Sequence, residues 1–260
     1  MSGDVLDLHS SSAATDGGFI AIAEVAAALQ ATGITDGYRL FGGIAVMLHV
    51  LRTGADVPLR ATGDADYGVP PHVLRDGTLV AEIERLGYAR TAGNRWERAV
   101  DGVRTAAVDL LVPAFTSRPR ADKKIGDVVT TEVPGLAAAL RRPPVAIRAR
   151  FHLADGDSLE AAVQVPDAAS MLALKVGARR VRNEERDATD LWRCLEVALA
   201  DGVTPADFAS PLMRSVPAAL AGELGRSAPA LAATTAGLTP EAASRTATRI
   251  QALLRRVAGL

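Results

Sequence analysis

Residues 41–66 read FGGIAVMLHVLRTGADVPLRATGDAD, with a glycine pair at one end and two alternating aspartates at the other. Ahead of Gly42-Gly43, residues 38–41 (YRLF) form a short apolar strand, and residues 44–51 (IAVMLHVL) have the character of a buried helix. A strand that turns through glycines into a helix lets backbone N–H groups at the helix start face an anion. Such turns also use glycine for packing alone, so the pair takes its meaning from the residues downstream. Residues 59–69 (LRATGDADYGV) read as a strand, which puts Arg60, Thr62, Asp64 and Asp66 on one face. Two carboxylates so spaced offer oxygen ligands to a divalent cation such as Mg²⁺ or Mn²⁺. The plainer alternative is a solvated polar face, but aspartate is depleted in strands.

Beyond this stretch, residues 72–87 suggest a helix interrupted at Gly77, and residues 88–91 and 94–100 suggest strands, with Asp101-Gly102 as a hairpin turn. The strand after that turn places Asp109 inside an apolar run, where an ionised carboxylate is costly unless a cation or donors meet it. Asp109 is therefore the natural third carboxylate. Residues 117–130 are polar and basic and read as a loop, 136–140 as a short helix, and two strands flank Asp155-Gly156-Asp157. Upstream, residues 1–17 are Ser/Gly-rich and read as a flexible arm, followed by a helix over 18–31 that stops near Gly33.

From Asp167 onward the pattern is helical. Lys175, Arg179 and Arg182 share a face at i, i+4 and i+7. This is either an exposed basic stripe or, for Lys175, a charge aimed at a phosphate. Asp187 and Asp190 lie three apart in RDATDL at 186–191, and Thr204-Pro205 and Thr239-Pro240 are further helix starts.

Composition bounds the function. The chain has 260 residues and a formal net charge of −1, so it does not advertise nucleic-acid binding as a whole. Arg141, Arg142, Arg148 and Arg150 remain a local group that could meet an RNA backbone, or a solvated face. No apolar run reaches the roughly 20 residues of a membrane span, and the acidic N-terminus is unlike a secretory signal, so a cytoplasmic protein without a membrane partner is expected. The single Cys194 reads as a core residue, and His49, in an apolar helix, as a satisfied core or near-site residue.

Gly42-Gly43, a helix, AspAlaAsp at 64–66 on a strand and the lone Asp109 on a later strand together resemble the nucleotidyltransferase superfamily with a polymerase-beta-like palm. Lys175, the basic turn and RDATDL extend the likeness to the AbiEii-like nucleotidyltransferases, the toxins of abortive-infection and type IV toxin-antitoxin systems, over roughly residues 38–195. The separation of Gly43 from Asp64 is longer than in many members. The resemblance implies an α+β fold: a palm of mixed sheet with flanking helices over 18–165, and a mainly helical lobe over 166–260. It implies a metal site at Asp64, Asp66 and Asp109, with Asp109 as ligand or base. A nucleoside triphosphate would be held by Gly42, Gly43, Thr62 and Lys175, and one of Asp187 and Asp190 would belong to the active site. It also implies an RNA acceptor, such as a tRNA 3′ end, and a cognate antitoxin. A small-molecule acceptor such as an aminoglycoside, a protein side chain, or a non-catalytic binding module are the rival expectations.

Overall fold

In the computed structural model, which describes residues 5–35, 37–59, 62–116, 118–182, 185–224 and 238–260, the middle strand of the main sheet is β6 (Thr105–Pro113). Its sequence, TAAVDLLVP, is almost continuously apolar, as a strand covered on both faces requires. It pairs in parallel with β3 (Asp64–Gly68) and antiparallel with β5 (Arg95–Ala99). Strand β2 (Arg39–Phe41) lies outside β3, β4 (Ala89–Arg90) lies outside β5, and β9 (Glu132–Val133) runs parallel to the far end of β6. A second, three-stranded sheet has the order β1 (Leu6–His9), β10 (Val145–His152), β11 (Ser158–Val165). The fold is mixed α+β, as expected.

One face of the main sheet is closed by α1 (Ala13–Ala31), which buries Phe19, Ile22, Val25 and Leu29. Close approach is possible because Gly17 has no Cβ: one placed there would land on the Thr105 carbonyl of β6. The arm expected over residues 1–17 is therefore corrected over residues 5–17, residues 1–4 lying outside the described residues. Leu6 to His9 pair with β10, and Ser12 caps α1 by accepting the Thr15 N–H at 3.2 Å. Composition suggested looseness, but the partner strand that orders this segment is about 140 residues away in sequence.

Three further expectations change. The strand expected over 59–69 begins only at Asp64, so Thr62 is not part of it, and Arg60 lies outside the described residues. The helix over 72–87 is two, α3 (Pro71–Asp76) and α4 (Thr78–Arg85), divided at Gly77. The loop over 117–130 contains a small hairpin, β7 (Lys123–Ile125) and β8 (Val128–Thr130), turning at Gly126-Asp127.

After α5 (Leu136–Arg141), α6 (Ala168–Arg182) and α7 (Glu185–Ala200) begin a helical lobe with α8 (Val216–Leu224) and α9 (Pro240–Ala258). Thr204-Pro205 does open a helical turn, a single 3-10 turn over Pro205–Phe208. This lobe has its own core, including Leu172, Leu191, Cys194, Leu195, Leu253 and Val257. Two residues of α2 (Gly42–Thr53), Val46 and Val50, belong to that core, while Ile44, Ala45 and Leu48 of the same helix belong to the first. Buried His49 spans the junction, its Nε2 2.7 Å from the Pro166 carbonyl and its Nδ1 3.2 Å from Arg52 Nη2. Burial, with the Arg52 charge, pushes His49 down to about 4. The ring is therefore neutral, donating from Nε2 and accepting at Nδ1. Among the described residues no helix is long and apolar enough to cross a membrane.

Candidate active site

Strand register places the aspartates. Arg95 on β5 is opposite Asp109 on β6, Asp109 is opposite Asp66 on β3, and Asp66 is opposite Phe41 on β2. Two residues along, Glu97, Ala107 and Asp64 form a second row. Side chains two apart on a strand share a face, so Arg95, Glu97, Asp64, Asp66 and Asp109 present one charged surface on the face opposite the buried Ala65, Tyr67, Val108 and Trp96.

Arg95 binds three carboxylates of that surface. Its Nη1 donates to Asp109 Oδ2 at 2.8 Å, its Nη2 to Asp64 Oδ1 at 2.9 Å and its Nε to Glu97 Oε1 at 2.6 Å. Burial works against its charge, but the bonds to Glu97 and Asp64 and the Asp109 charge hold Arg95 above the usual arginine range. The other Asp109 oxygen, Oδ1, accepts from Asn94 Nδ2 at 2.8 Å. Burial raises the Asp109 carboxyl against the opposing pull of Arg95. Asp66 is pushed up to about 7, first by burial and then by the neighbouring Asp109 carboxylate. Lys175 and Arg182 pull it back down, so charges of the helical lobe act on Asp66 in the sheet.

The glycine turn lies against the same group. Gly42 has φ +77°, and a Cβ there would land on Asp66 Oδ2. A Cβ on Gly43 would be 2.8–2.9 Å from the Thr62 side chain. No side chain caps the start of α2, whose N-cap is Phe41, so its first N–H groups are placed as an anion site requires.

Of the basic stripe, Lys175 and Arg179 are buried and paired, while Arg182 is exposed. Lys175 Nζ donates to Asp190 Oδ2 at 2.7 Å, and Arg193 Nη1 donates to Asp190 Oδ1 at 2.9 Å. Arg193 Nε also donates to the Pro58 carbonyl at 2.6 Å, in the loop before β3. Arg182 Nη2 donates to Asp187 Oδ1 at 3.2 Å, and Arg179 pairs with Glu223. Both Asp187 and Asp190 are buried, at 1% and 2% exposure. Gly43, Asp190 and Arg193 line one small cavity with Met47 and Leu59, so this cluster abuts the glycine turn.

The structure thus sets Asp64, Asp66 and Asp109 on one sheet face, Gly42 against Asp66 and Gly43 against Thr62, with Asp190 and its partner Lys175 beside the glycine turn. It does not recruit the group at 141–150 in the same way: Arg142 pairs with Asp167 and Asp207, and Arg150 with Glu160. Cys194 is buried, its thiol pushed up to about 12 by burial, and takes no part. Asn94, Arg95, Glu97 and Arg193 are additions to the site. Counting back from the Asp101-Gly102 turn, with Ala99 opposite Thr105, does put Arg95 opposite Asp109.

The oxygen-only set Asp64, Asp66 and Asp109 suits a hard divalent cation in charge and ligand type. Among the described residues, however, no three His, Cys, Asp or Glu side chains are gathered closely enough to hold a metal ion. Asp64 and Asp109 are instead held by Arg95. No family model matches the chain, and no curated protein matches it.

Proposed function

We propose that the protein is a nucleotidyltransferase, dependent on Mg²⁺ or Mn²⁺, that moves a nucleoside monophosphate from a nucleoside triphosphate to an acceptor hydroxyl. The observation that carries this reading is the meeting of three strand aspartates, a glycine-opened helix and a lysine from the second lobe whose charge acts on Asp66. Each part answers a need of phosphoryl transfer, in which catalysis is mainly positioning and electrostatics.

Asp64, Asp66 and Asp109 would hold the divalent cation, which when bound neutralises phosphate charge and polarises the phosphorus under attack. The N–H groups at Gly42 and Gly43, with the Thr62 hydroxyl, hold triphosphate oxygens. Lys175 stands behind them as fixed positive charge. Asp109, its carboxyl raised by burial and oriented by Asn94, takes the proton of the acceptor hydroxyl as that oxygen attacks the α-phosphorus and pyrophosphate leaves. On the likeness to the AbiEii-like family, the acceptor is RNA, such as a tRNA 3′ end, and the enzyme is a toxin restrained by a cognate antitoxin.

A second reading, nucleotide or RNA binding without turnover, is favoured by one observation: the Arg95 guanidinium already bridges Asp64 and Asp109. One experiment separates the two. The chain is incubated with Mg²⁺ or Mn²⁺, each α-labelled nucleoside triphosphate and total RNA, beside Asp66→Ala. Label in a discrete RNA band that the variant loses is the expected result. Label only on a small molecule or on the protein itself moves the acceptor to those classes, and no label anywhere leaves the binding module.

A further inference from the structure

A groove of about 730 Å³ is lined by the C-terminal half of α1 and by the three-stranded sheet, and none of the aspartates or glycines of the candidate active site borders it. Its volume is that of a small-molecule site. Ala23, Ala26 and Ala27 recur at i, i+3 and i+4, so one face of α1 meets the groove with methyl groups alone. Ala23 and Ala26 are half-buried and Ala27 is exposed. A helix that faces a sheet with three alanines leaves open the space that larger side chains would fill. Leu6, Ile34 and Ile147 continue the apolar lining.

The polar lining is unbalanced. Glu160 is held by Arg150 at 2.7 and 3.0 Å, and Arg52 by Asp201 at 2.7 Å. Arg148, the third charged residue of the lining, is exposed and has neither an ion pair nor a hydrogen bond among the described residues. Gln164 shares its sheet face. Arg148 on β10 is opposite Ala162 on β11, and Gln164 on β11 is opposite Ala146 on β10, so only alanine methyls flank the guanidinium and the amide. The backbone N–H of Gln164 is taken by the Tyr38 hydroxyl at 3.2 Å, but its side-chain Oε1 is buried with no hydrogen-bond partner. A buried amide left without a partner is costly, and turned about its last bond it offers an N–H to an anion.

We propose that this groove is a binding site for an amphipathic oxyanion: its apolar chain lies along the alanine face of α1, and its singly charged acid head, a carboxylate or its equivalent, is held by Arg148 and Gln164. The lone cation of the lining selects the sign of the head, and the methyl-lined wall selects the body. The inference stands apart from the reading of the aspartate face and needs neither nucleotide nor metal.

The test is isothermal titration of the full chain, without nucleotide or metal, with sodium decanoate, decylammonium chloride and sodium acetate. Decanoate should bind and acetate should not. Decylammonium should bind about tenfold more weakly than decanoate, because its head meets Arg148 with the same charge. Arg148→Gln should weaken decanoate about tenfold and narrow its difference from decylammonium. Ala27→Phe, at an exposed position, fills the groove and should weaken decanoate about tenfold with unchanged circular dichroism; if that variant does not fold, Ala27→Leu serves. Arg180→Gln removes an exposed arginine from α6 and should leave the affinity within about twofold of wild type. No decanoate binding, or binding that either Arg148→Gln or the Ala27 variant leaves unchanged, overturns the proposal. So does decylammonium that binds as tightly as decanoate, or equal weakening by Arg180→Gln. A dimer of the chain that Ala27→Phe dissociates overturns it in favour of a second copy as the occupant.

Discussion

Asp190 accepts hydrogen bonds from two cations, Lys175 and Arg193, in a cluster where all three residues are at most 7% exposed. The two partners are not equivalent to Asp190 itself. Lys175→Met leaves Asp190 still paired with Arg193. Asp190→Asn leaves two buried cations with their shared carboxylate gone. Urea unfolding should therefore show a loss of about 3–5 kcal/mol for Asp190→Asn and less than about 2 kcal/mol for Lys175→Met. A larger loss for Lys175→Met would remove the asymmetry. For single residues the sequence is a good guide to which ones matter and a poor one to their surroundings. Asp109 stands out because an acid in an apolar strand needs a partner. Its partner, Arg95, is concealed because RWERA reads as an ordinary polar hairpin strand until the register is counted. Lys175 is legible as a basic residue on a helix face. Its burial is not, since that depends on Asp190 of the next helix and on the Arg193–Pro58 bond across the two lobes.

Among the elements, the turn into α2 is the most constrained. Gly42 combines a left-handed backbone with close contact to the Asp66 carboxylate, so an added methyl group there meets two penalties. For a non-glycine residue the left-handed conformation alone costs about 1–2 kcal/mol. Gly42→Ala should therefore lower stability by about 2 kcal/mol and abolish nucleotidyl transfer, because relief of the clash moves Asp66. Thermal unfolding and the α-label assay check the two parts, and a fully active Gly42→Ala would show that Asp66 tolerates displacement. The strand, glycine turn and helix are readable because all their signals are local. So are the Asp101-Gly102 hairpin and the helices capped by Thr204 and Thr239. Strand β1 is not readable, because a parallel edge strand is specified by its partner, and β10 is remote in sequence. The β7–β8 hairpin is too short for its alternation to stand out from a polar stretch.

For the molecule as a unit, two buried groups set opposite pH dependences. The folded pKa of His49, about 4, lies below its ordinary 6.5, so its contribution is full above 6.5 and is lost as pH falls through 4. The folded pKa of Asp66, about 7, lies above its ordinary 3.8, so its contribution is full below 3.8 and is lost as pH rises through 7. They are worth on the order of 3 kcal/mol for His49 and 4 kcal/mol for Asp66 at most, and between pH 4 and 6.5 they offset one another. Measured against wild type by urea unfolding, Asp66→Asn should gain stability as pH rises from 4 to 7, and His49→Gln as it falls from 6.5 to 4. Parallel curves for both variants would show that neither group carries the dependence. His49 matters to both lobes because of where it sits. Helix α2 begins at the glycine turn, lends Ile44 and Leu48 to one core and Val46 and Val50 to the other, and is tied to Pro166 through the imidazole. A helix anchored in both halves acts as a splint. Rocking of one lobe against the other would have to drag the glycine turn with it, so the close seating of Gly42 on the Asp66 carboxylate is shielded from any such motion.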